Sequence, residues 1–296
     1  MKLSNLVKVA LFAIVVSILL VPSSVAQEEG QEPEQEGQQE EGTGESTEEE
    51  GLQSKKDKTG TNPINFQKEL RFYNEYSFLN TAGDGNQNVS TVEIRTPFAN
   101  GKWQWRIRAH PVTGLEADFN DDGVDDVDEW SLGDTDMRFL TVPIVRMDKL
   151  FAIAYGLEVF MNTASDDALG AGTTALGPQI FYGKFFKRGL FAPGLQYRFS
   201  VDEDEGRAKT DQIAIDLNLL IMAKNKLSWF FTNPQIIIDN ETNQEFAIVD
   251  FEFGFMMAKF GFKAPGHSVY IRPAVGVGAD RPVDYGVELG YKIIGL

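Results

Sequence analysis

Apolar and polar residues alternate with a period of two along the last fifty residues of the chain. Three long runs between Gln244 and Leu296 keep this pattern, at 246–262, 267–279 and 283–296. One face of each run is apolar or aromatic, and the other is small, polar or ionised. Successive side chains of a β-strand point to opposite faces of the sheet, so the pattern predicts three strands. A soluble sheet would alternate in the same way, so strand length and connections must decide the class.

The same alternation recurs upstream, and no stretch from residue 62 onward shows convincing helical periodicity. The clearest segment sets Trp103, Trp105 and Ile107 against Arg106 and Arg108. Two tryptophans on one face and arginines on the other are typical of a transmembrane β-barrel strand, whose outer face contacts lipid and whose inner face lines a polar lumen. About twelve strands are predicted, the nine upstream ones at 70–79, 89–98, 102–112, 135–146, 150–161, 174–186, 190–201, 210–222 and 227–238.

The predicted connections alternate between short and long. Asn100-Gly101 is a strong hairpin signal, and the turns near 147–148, 187–189, 223–226 and 263–267 are equally brief. The intervening loops, such as 113–130 and 202–209, are longer or acidic. Short periplasmic turns, longer outer loops and an even strand number are typical of outer-membrane barrels. We therefore predict an all-β, up-and-down antiparallel transmembrane barrel over 62–296, with a soluble pair of β-sandwiches as the alternative.

The N-terminal part predicts export. Residues 1–26 combine two lysines, an apolar run and Ser24-Val25-Ala26, as a secretory signal peptide does. Residues 27–61 form a Glu-rich segment with too little apolar surface to fold, so we expect a disordered tail. Eleven glutamates between 27 and 50 account for most of the net charge of −17, which disfavours nucleic-acid binding. The chain has no Cys and therefore no disulfides.

Charged residues of both signs fall on the inward face of the predicted strands. They have two interpretations: a salt-bridge network that stabilises the barrel, or a polar lining that selects solutes. A barrel of about twelve strands has room for a narrow channel or a ligand. The predicted lumen residues are Glu93, Arg95, Arg106, Arg108, Asp136, Arg138, Glu158, Arg198, Asp216, Asp250, Glu252, Arg272, Asp284 and Glu288.

One loop matches a calcium-binding pattern of twelve residues, 118–129. Carboxylate and amide oxygens recur at alternate positions, a glycine permits the turn, and a glutamate closes the loop. The flanking segments are strands, so a solvated acidic loop is the alternative. We predict Ca²⁺ as an ion that orders this loop, with oxygen ligands from Asp118, Asn120, Asp122, Val124, Asp126 and Glu129.

Catalysis finds little support in the sequence. His110 and His267 are the only histidines, and neither has a local nucleophile or an orienting acid. No phosphate-binding loop or zinc spacing is present, and no cofactor is required by the pattern. The sequence therefore predicts a non-enzymatic protein, with a barrel lipid hydrolase as a remote alternative.

Several short strings resemble one bacterial outer-membrane family, the "MetA-pathway of phenol degradation" transporters. The resemblance covers about 62–296 and implies a barrel that passes small, hydrophobic or aromatic molecules. The strings that carry it are Thr61-Asn62-Pro63-Ile64, Thr96-Pro97-Phe98 with Trp103 to Val112, Leu132-Gly133-Asp134-Thr135 leading to Arg138-Phe139, Gly156-Leu157-Glu158 leading to Leu176-Gly177-Pro178, Asn233-Pro234, and the run Asp284 to Tyr291.

These features together predict a passive channel or transporter for small solutes in the bacterial outer membrane, with outer-membrane lipids around it. The alternative from another class is a structural or surface-binding barrel, with a plugged lumen and a calcium-ordered outer loop. Conduction through the lumen separates the two hypotheses.

Overall fold

The computed structural model describes residues 59, 61, 64, 66–83, 85–146 and 148–296. The predicted leader and nearly all of the predicted acidic tail therefore lie outside the described residues. The β-segments of the described part are β1 (Glu69–Leu79), β2 (Gly85–Phe98), β3 (Trp103–Ala117), β4 (Val127–Ser131), β5 (Thr135–Arg146), β6 (Phe151–Met161), β7 (Thr173–Phe186), β8 (Gly189–Glu203), β9 (Asp211–Met222), β10 (Ser228–Thr232), β11 (Gln235–Asp239), β12 (Gln244–Met256), β13 (His267–Val277) and β14 (Val283–Ile294).

These segments close into one antiparallel barrel of twelve strands. Neighbours in sequence pair around the wall, and β1 pairs with both β2 and β14, so no free edge remains. β10 and β11 are two halves of one strand, because both pair with β9 and β12. β4 pairs with β3 alone and stands outside the ring as a hairpin extension. The predicted up-and-down barrel of about twelve strands is confirmed.

The two ends of the barrel differ in their connections. Glu69 and Ile294 pair at one end, and the short turns lie there too; we call it the turn end. The longer connections lie at the opposite end, which we call the loop end. Asn100 and Gly101 occupy left-handed backbone conformations, with φ of 56° and 77°, as an Asn-Gly hairpin turn requires.

The predicted strand at 227–238 is broken in the middle. Pro234 has no N–H to donate to the ladder, so regular pairing stops there. The neighbouring strand adapts, because Leu217 N donates to Pro234 O at 3.0 Å and to Asn233 Oδ1 at 3.1 Å. The proline therefore interrupts the strand locally, while the two halves of the strand stay paired with both neighbouring strands.

Two strand boundaries differ from the sequence prediction. The strand predicted over 102–112 continues to Ala117 and pairs with β4, so part of the predicted 113–130 loop is a hairpin. The strand predicted over 246–262 ends at Met256, where the 3₁₀ turn Met257–Phe260 begins. Alternation of side chains does not report where the partner strand stops, which explains both errors. In the described part of the chain, no helix is long and apolar enough to cross a bilayer.

The outer surface of the barrel is apolar and carries an aromatic belt near each end. Phe98 stacks near Trp103 and Phe151 near Tyr182 at the turn end, with ring centres 6.3 and 5.8 Å apart. At the loop end, Phe78 lies 4.5 Å from Tyr285 and Tyr197 lies 5.6 Å from Phe199. Between the belts, exposed side chains include Phe72, Ile94, Leu157, Ile180, Leu195, Phe253, Ile271 and Leu289.

We expect Gly290→Ala to lower the free energy of unfolding by about 1–3 kcal/mol, the usual cost of overpacking a filled interior. A Cβ at this position would lie 2.1 Å from Cζ of Tyr270, whose ring is buried against the wall. Urea unfolding in lipid vesicles measures the loss. In a Tyr270→Ala background the same glycine substitution should cost much less. An equal cost there would show that the ring contact is not the cause.

Candidate functional site

A cavity of about 270 Å³ lies inside the barrel, above its turn end. Eleven of the fourteen predicted lumen residues line it: Glu93, Arg95, Arg106, Arg108, Arg138, Glu158, Arg198, Asp216, Asp250, Arg272 and Glu288. Asp136 and Glu252 are buried beside the cavity and form ion pairs with its arginines. Asp284 lies apart from the others, at the loop end, where it pairs with Arg281.

Strands β3, β5, β6 and β8 form a basic wall of this cavity. Asp136 accepts from Arg106 Nη2 at 3.0 Å and from Arg108 Nε at 2.8 Å. Glu158 accepts from Arg106, and from Arg108 Nη2 at 3.3 Å. Gln196 Nε2 adds a third donor to Glu158 at 2.9 Å. The two carboxylates of this wall are thus engaged by two of its arginines.

No described carboxylate lies within ion-pair distance of the other two arginines of the basic wall. Arg138 is only 8% exposed, yet its guanidinium has no hydrogen bond or ion pair with a described residue. Arg198 donates from Nε to Gln196 Oε1 and lies 4.8 Å from the centre of the Phe160 ring. With four arginines and two carboxylates, the basic wall has a net charge of +2.

Strands β9 to β14 form an acidic wall across the cavity. Arg272 Nη1 lies 3.2 Å from Glu288 and its Nη2 pairs with Glu252, while Lys292 Nζ lies 2.8 Å from Glu252. Asp216 accepts from the side-chain amides of Asn233 and Gln235 at 3.0 and 2.9 Å, without a cation in ion-pair distance among described residues. Asp250 also belongs to the acidic wall. The wall therefore has four carboxylates and two cations, a net charge of −2; the members are Asp216, Asp250, Glu252, Glu288, Arg272 and Lys292.

The order of strands places these two walls on opposite arcs of the barrel. The basic wall runs through β3, β5, β6 and β8, and the acidic wall continues from β9 to β14. β1 and β2 join them with a separate ion-pair cluster, in which Arg71 and Arg95 contact Glu69 and Glu93. The charges therefore set up an electric field directed across the lumen.

An apolar layer fills the lumen at the turn end, below the charged cavity. Its members are inward-facing side chains close to the short turns, and they pack into one buried cluster. The cluster contains Leu140, Ala152, Ala154, Phe181, Leu190, Ala192, Leu220, Met222, Trp229, Phe231, Met256 and Tyr270. The sequence prediction assigned small, polar or ionised residues to this face, and at the turn end that assignment is wrong.

The segment before β1 enters the barrel at this layer. Ile64 is 5% exposed and belongs to the apolar cluster, and a Cβ on Gly183 would lie 2.4 Å from its Cδ1. Thr61 lines the charged cavity, and Thr59 O lies 3.5 Å from Lys292 Nζ. Gln104 Nε2 donates to Gln67 O at 3.3 Å. We call the described residues of this segment, 59, 61, 64, 66 and 67, the N-terminal plug, because Ile64 packs into the apolar layer inside the lumen at the turn end.

Sequence reasoning missed several residues of the lumen. The predicted lumen residues omit Glu69, Arg71, Glu75 and Lys292, which lie on the inward face of their strands. The alternation already places Glu75 and Lys292 on the polar face, and extending it to the start of β1 would have found the other two. The uncharged residues Gln179 and Gln196 were missed because the search followed charge. The string Thr61-Asn62-Pro63-Ile64 belongs to the family resemblance, but no periodicity indicated that residues of the N-terminal plug lie in the lumen.

The predicted calcium ligands lie in the hairpin loop between β3 and β4. The Asp118 carboxylate accepts from the N–H groups of Asn120, Asp121 and Gly123 at 3.1, 2.7 and 2.8 Å. Asp126 Oδ2 accepts from Phe119 N at 2.8 Å, and Glu129 lies within β4. Burial works to raise the pKa of Asp118, but these backbone hydrogen bonds outweigh it and lower the pKa.

Asn120 and Asp122 likewise accept from backbone N–H groups of the loop, and Val124 is exposed. No group of three or more His, Cys, Asp or Glu among the described residues is placed to hold a metal ion. The loop thus lacks a ready-made set of ligands, and calcium binding stays a prediction from the sequence. Calorimetric titration with Ca²⁺ tests this prediction by comparing the wild type with the double variant Asp118→Ala, Glu129→Ala. Equal heats of binding would exclude calcium binding by this loop.

The two histidines contact hydroxyl groups rather than carboxylates. His110 Nδ1 lies 2.9 Å from Thr91 Oγ1, and His267 contacts the Tyr291 hydroxyl. Neither ring has an acidic hydrogen-bond partner among the described residues, so neither is oriented as a general base would be.

The geometry defines a closed barrel with an apolar, aromatic-belted exterior and a charged interior, which is the fold of outer-membrane β-barrels. No protein-family model matches the chain, and no curated protein matches it in sequence. Among solved structures it is similar to the COG4313 outer membrane channel from Pseudomonas putida F1, with a TM-score of 0.60. That match has 9% identity and covers 80% of this chain and 99% of the channel. The NanC porin is also similar, with a TM-score of 0.52, 10% identity and coverage of 77% of this chain and 100% of the porin.

Proposed function

We propose that this protein is a non-enzymatic outer-membrane channel for small solutes. The observation that carries the proposal is the polar cavity of about 270 Å³, enclosed by a single barrel wall whose outer face is apolar. A water-filled polar interior behind a lipid-compatible surface is what passage of a polar solute requires. The two structural neighbours, one named as a channel and the other as a porin, support the same function.

The outer surface supports a place in the outer membrane. Two aromatic belts flank an apolar band, and such belts lie at the two interfaces of a bilayer. With the turn end in the periplasm, the acidic loops at the loop end face the exterior. The outer-membrane lipids are then the partner of the apolar band, and the predicted leader would export the chain.

The class of solute follows from the size and lining of the cavity. About 270 Å³ is below the usual range of sites for drug-sized ligands, so the solute is small. The resemblance to the phenol-degradation transporters favours aromatic or hydrophobic molecules, and Tyr73, Phe181, Phe231 and Tyr270 supply aromatic surface in the cavity. The charged walls favour a solute that also bears a polar or ionised group.

Proteoliposome swelling tests the channel function. Vesicles that contain the full chain should admit small solutes faster than empty vesicles, and the rate should fall as solute size exceeds the cavity. Ile64→Asp, which should release the N-terminal plug, serves as a second protein in the same assay. If neither protein admits any solute faster than empty vesicles, the channel function is excluded.

The N-terminal plug favours one other function, a surface-binding barrel with a permanently closed lumen. Ile64 packs into the apolar layer at the turn end, and a closed lumen would require such packing. Failure of swelling in both proteins, with normal folding, would support this second candidate.

A further inference from the structure

We infer that the basic wall of the lumen is a binding site for the carboxylate of a small organic acid. The site consists of Arg138, Arg198 and Gln179, and it rests on the proposed function because it names the solute class of that channel. Two observations lie behind it: Gln179 Nε2 is buried without a hydrogen-bond partner among the described residues, and Arg138, which lines the cavity, makes no hydrogen bond with a described residue.

Arg138 is the central donor. Its side chain is more than nine-tenths buried and lines the cavity, but no described carboxylate, carbonyl or amide oxygen accepts from it. A buried guanidinium without a partner is costly, because burial removes water that would otherwise solvate the charge. The two carboxylates of the basic wall, Asp136 and Glu158, are already engaged by Arg106 and Arg108.

Gln179 supplies a second orphaned donor. Its side-chain nitrogen Nε2 is buried and has no hydrogen-bond partner among the described residues, and the residue is 7% exposed. In the strand register, Arg138 on β5 lies opposite Glu158 on β6, and Glu158 lies opposite Gly177 on β7. Gln179 is two positions along β7 from Gly177. Both side chains line the same cavity, and we place one acceptor group there against both donors.

A carboxylate is the acceptor that matches this set. A planar guanidinium binds a carboxylate through parallel hydrogen bonds, and a charged acceptor makes each bond stronger than a neutral one does. Arg198 adds positive charge on the same wall without an ion pair of its own. Opposite, the four carboxylates of the acidic wall repel an anion, so the carboxylate is held on the basic side.

The rest of the ligand contacts aromatic surface. Phe181 and Phe231 belong to the apolar layer and also line the cavity, so they form a floor beneath the charged walls. An acid with a compact apolar body would place that body on this floor. Asp216, which has no described cation partner, would receive an ammonium group if the ligand were a zwitterion. Plain acids and zwitterions share the carboxylate, and the experiment separates them.

Ligand-observed NMR titration of the full chain in detergent micelles tests the site with benzoate and its neutral analogue, benzamide. We expect benzoate to bind, benzamide to bind far more weakly, and Arg138→Gln to weaken benzoate about tenfold or more, as loss of a charge-assisted hydrogen bond does. Arg146→Gln is the matched control, because it makes the same charge change in the same strand at an exposed position. Equal binding of benzamide, or unchanged binding by Arg138→Gln, would overturn the inference.

Two further variants keep the result decisive. Gln179→Met removes the second donor at nearly constant volume, so it reports on the site even if Arg138→Gln fails to fold; we expect weaker binding of benzoate. A gain in affinity of 4-(aminomethyl)benzoate over benzoate, abolished by Asp216→Asn, would assign a zwitterionic ligand, and equal affinities would assign a plain acid. Binding in micelles does not require permeation. Benzoate can therefore bind even if the swelling assay shows no passage, and solutes can pass in the swelling assay even if benzoate does not bind.

Discussion

Replacing Glu252 with glutamine is expected to lower the free energy of unfolding of the barrel by about 3–5 kcal/mol, because it breaks a buried ion pair at one partner. Glu252 and Lys292 are both 0% exposed, with Lys292 Nζ 2.8 Å from Glu252 Oε1. Trp229 Nε1 and Arg272 also donate to this carboxylate. Without the negative charge, Lys292 has lost its neutralising partner in a site closed to water. Urea unfolding in lipid vesicles, followed by tryptophan fluorescence, measures the loss.

Two controls show whether the loss of stability comes from burial of the ion pair or only from removal of a charge. Glu203→Gln removes one partner of an ion pair with Lys209 at 3.6 Å, where both side chains are solvent-exposed; its cost should stay below about 1 kcal/mol. Glu252→Gln combined with Lys292→Met should recover much of the lost stability, because no buried charge is then left unpaired. A loss for Glu252→Gln no greater than that for Glu203→Gln would contradict the assigned role.

Ile64→Asp is expected to raise the conductance of the barrel by releasing the N-terminal plug from the turn end. Burial of an isoleucine side chain contributes about 2 kcal/mol, which corresponds to roughly a thirtyfold change in the ratio of docked to undocked plug. The carboxylate would also have to enter an apolar cluster without a partner. Planar-bilayer recordings of wild type and variant at equal protein density measure the change.

Ile64→Leu is the matched control for the plug. It keeps the volume and apolar character of the side chain, so its conductance should stay close to that of the wild type. If Ile64→Asp and Ile64→Leu conduct equally, the docked segment does not limit passage. Release of the plug should leave the folded barrel intact, as heat-dependent mobility on SDS gels would show.

Much of the fold could be predicted because a barrel wall obliges every strand to alternate. Trp105 and Arg106 face opposite sides for the same reason that Glu288 and Leu289 do: one side meets lipid, the other a polar lumen. The charged middle of the lumen followed from that alternation alone. Strand ends were less certain, since Ala117 and Met256 mark where a partner stops rather than where the pattern changes.

The apolar layer and the plug could not be predicted from alternation. Trp229 and Phe181 face inward and share a buried cluster with Ile64, and nothing near either residue in the sequence indicates that this distant residue joins them. The unpaired state of Arg138 was equally hidden. Alternation assigns a side chain to the lumen, but only the side-chain contacts show which carboxylates its neighbours have already engaged.

The contact between Thr59 and Lys292 joins residues 233 positions apart, one just before the first strand and the other in the last. Pairing of β1 with β14 therefore brings the plug and its anchoring lysine together in the same step that closes the wall. A newly assembled barrel would therefore enter the membrane with the N-terminal plug already inside its lumen.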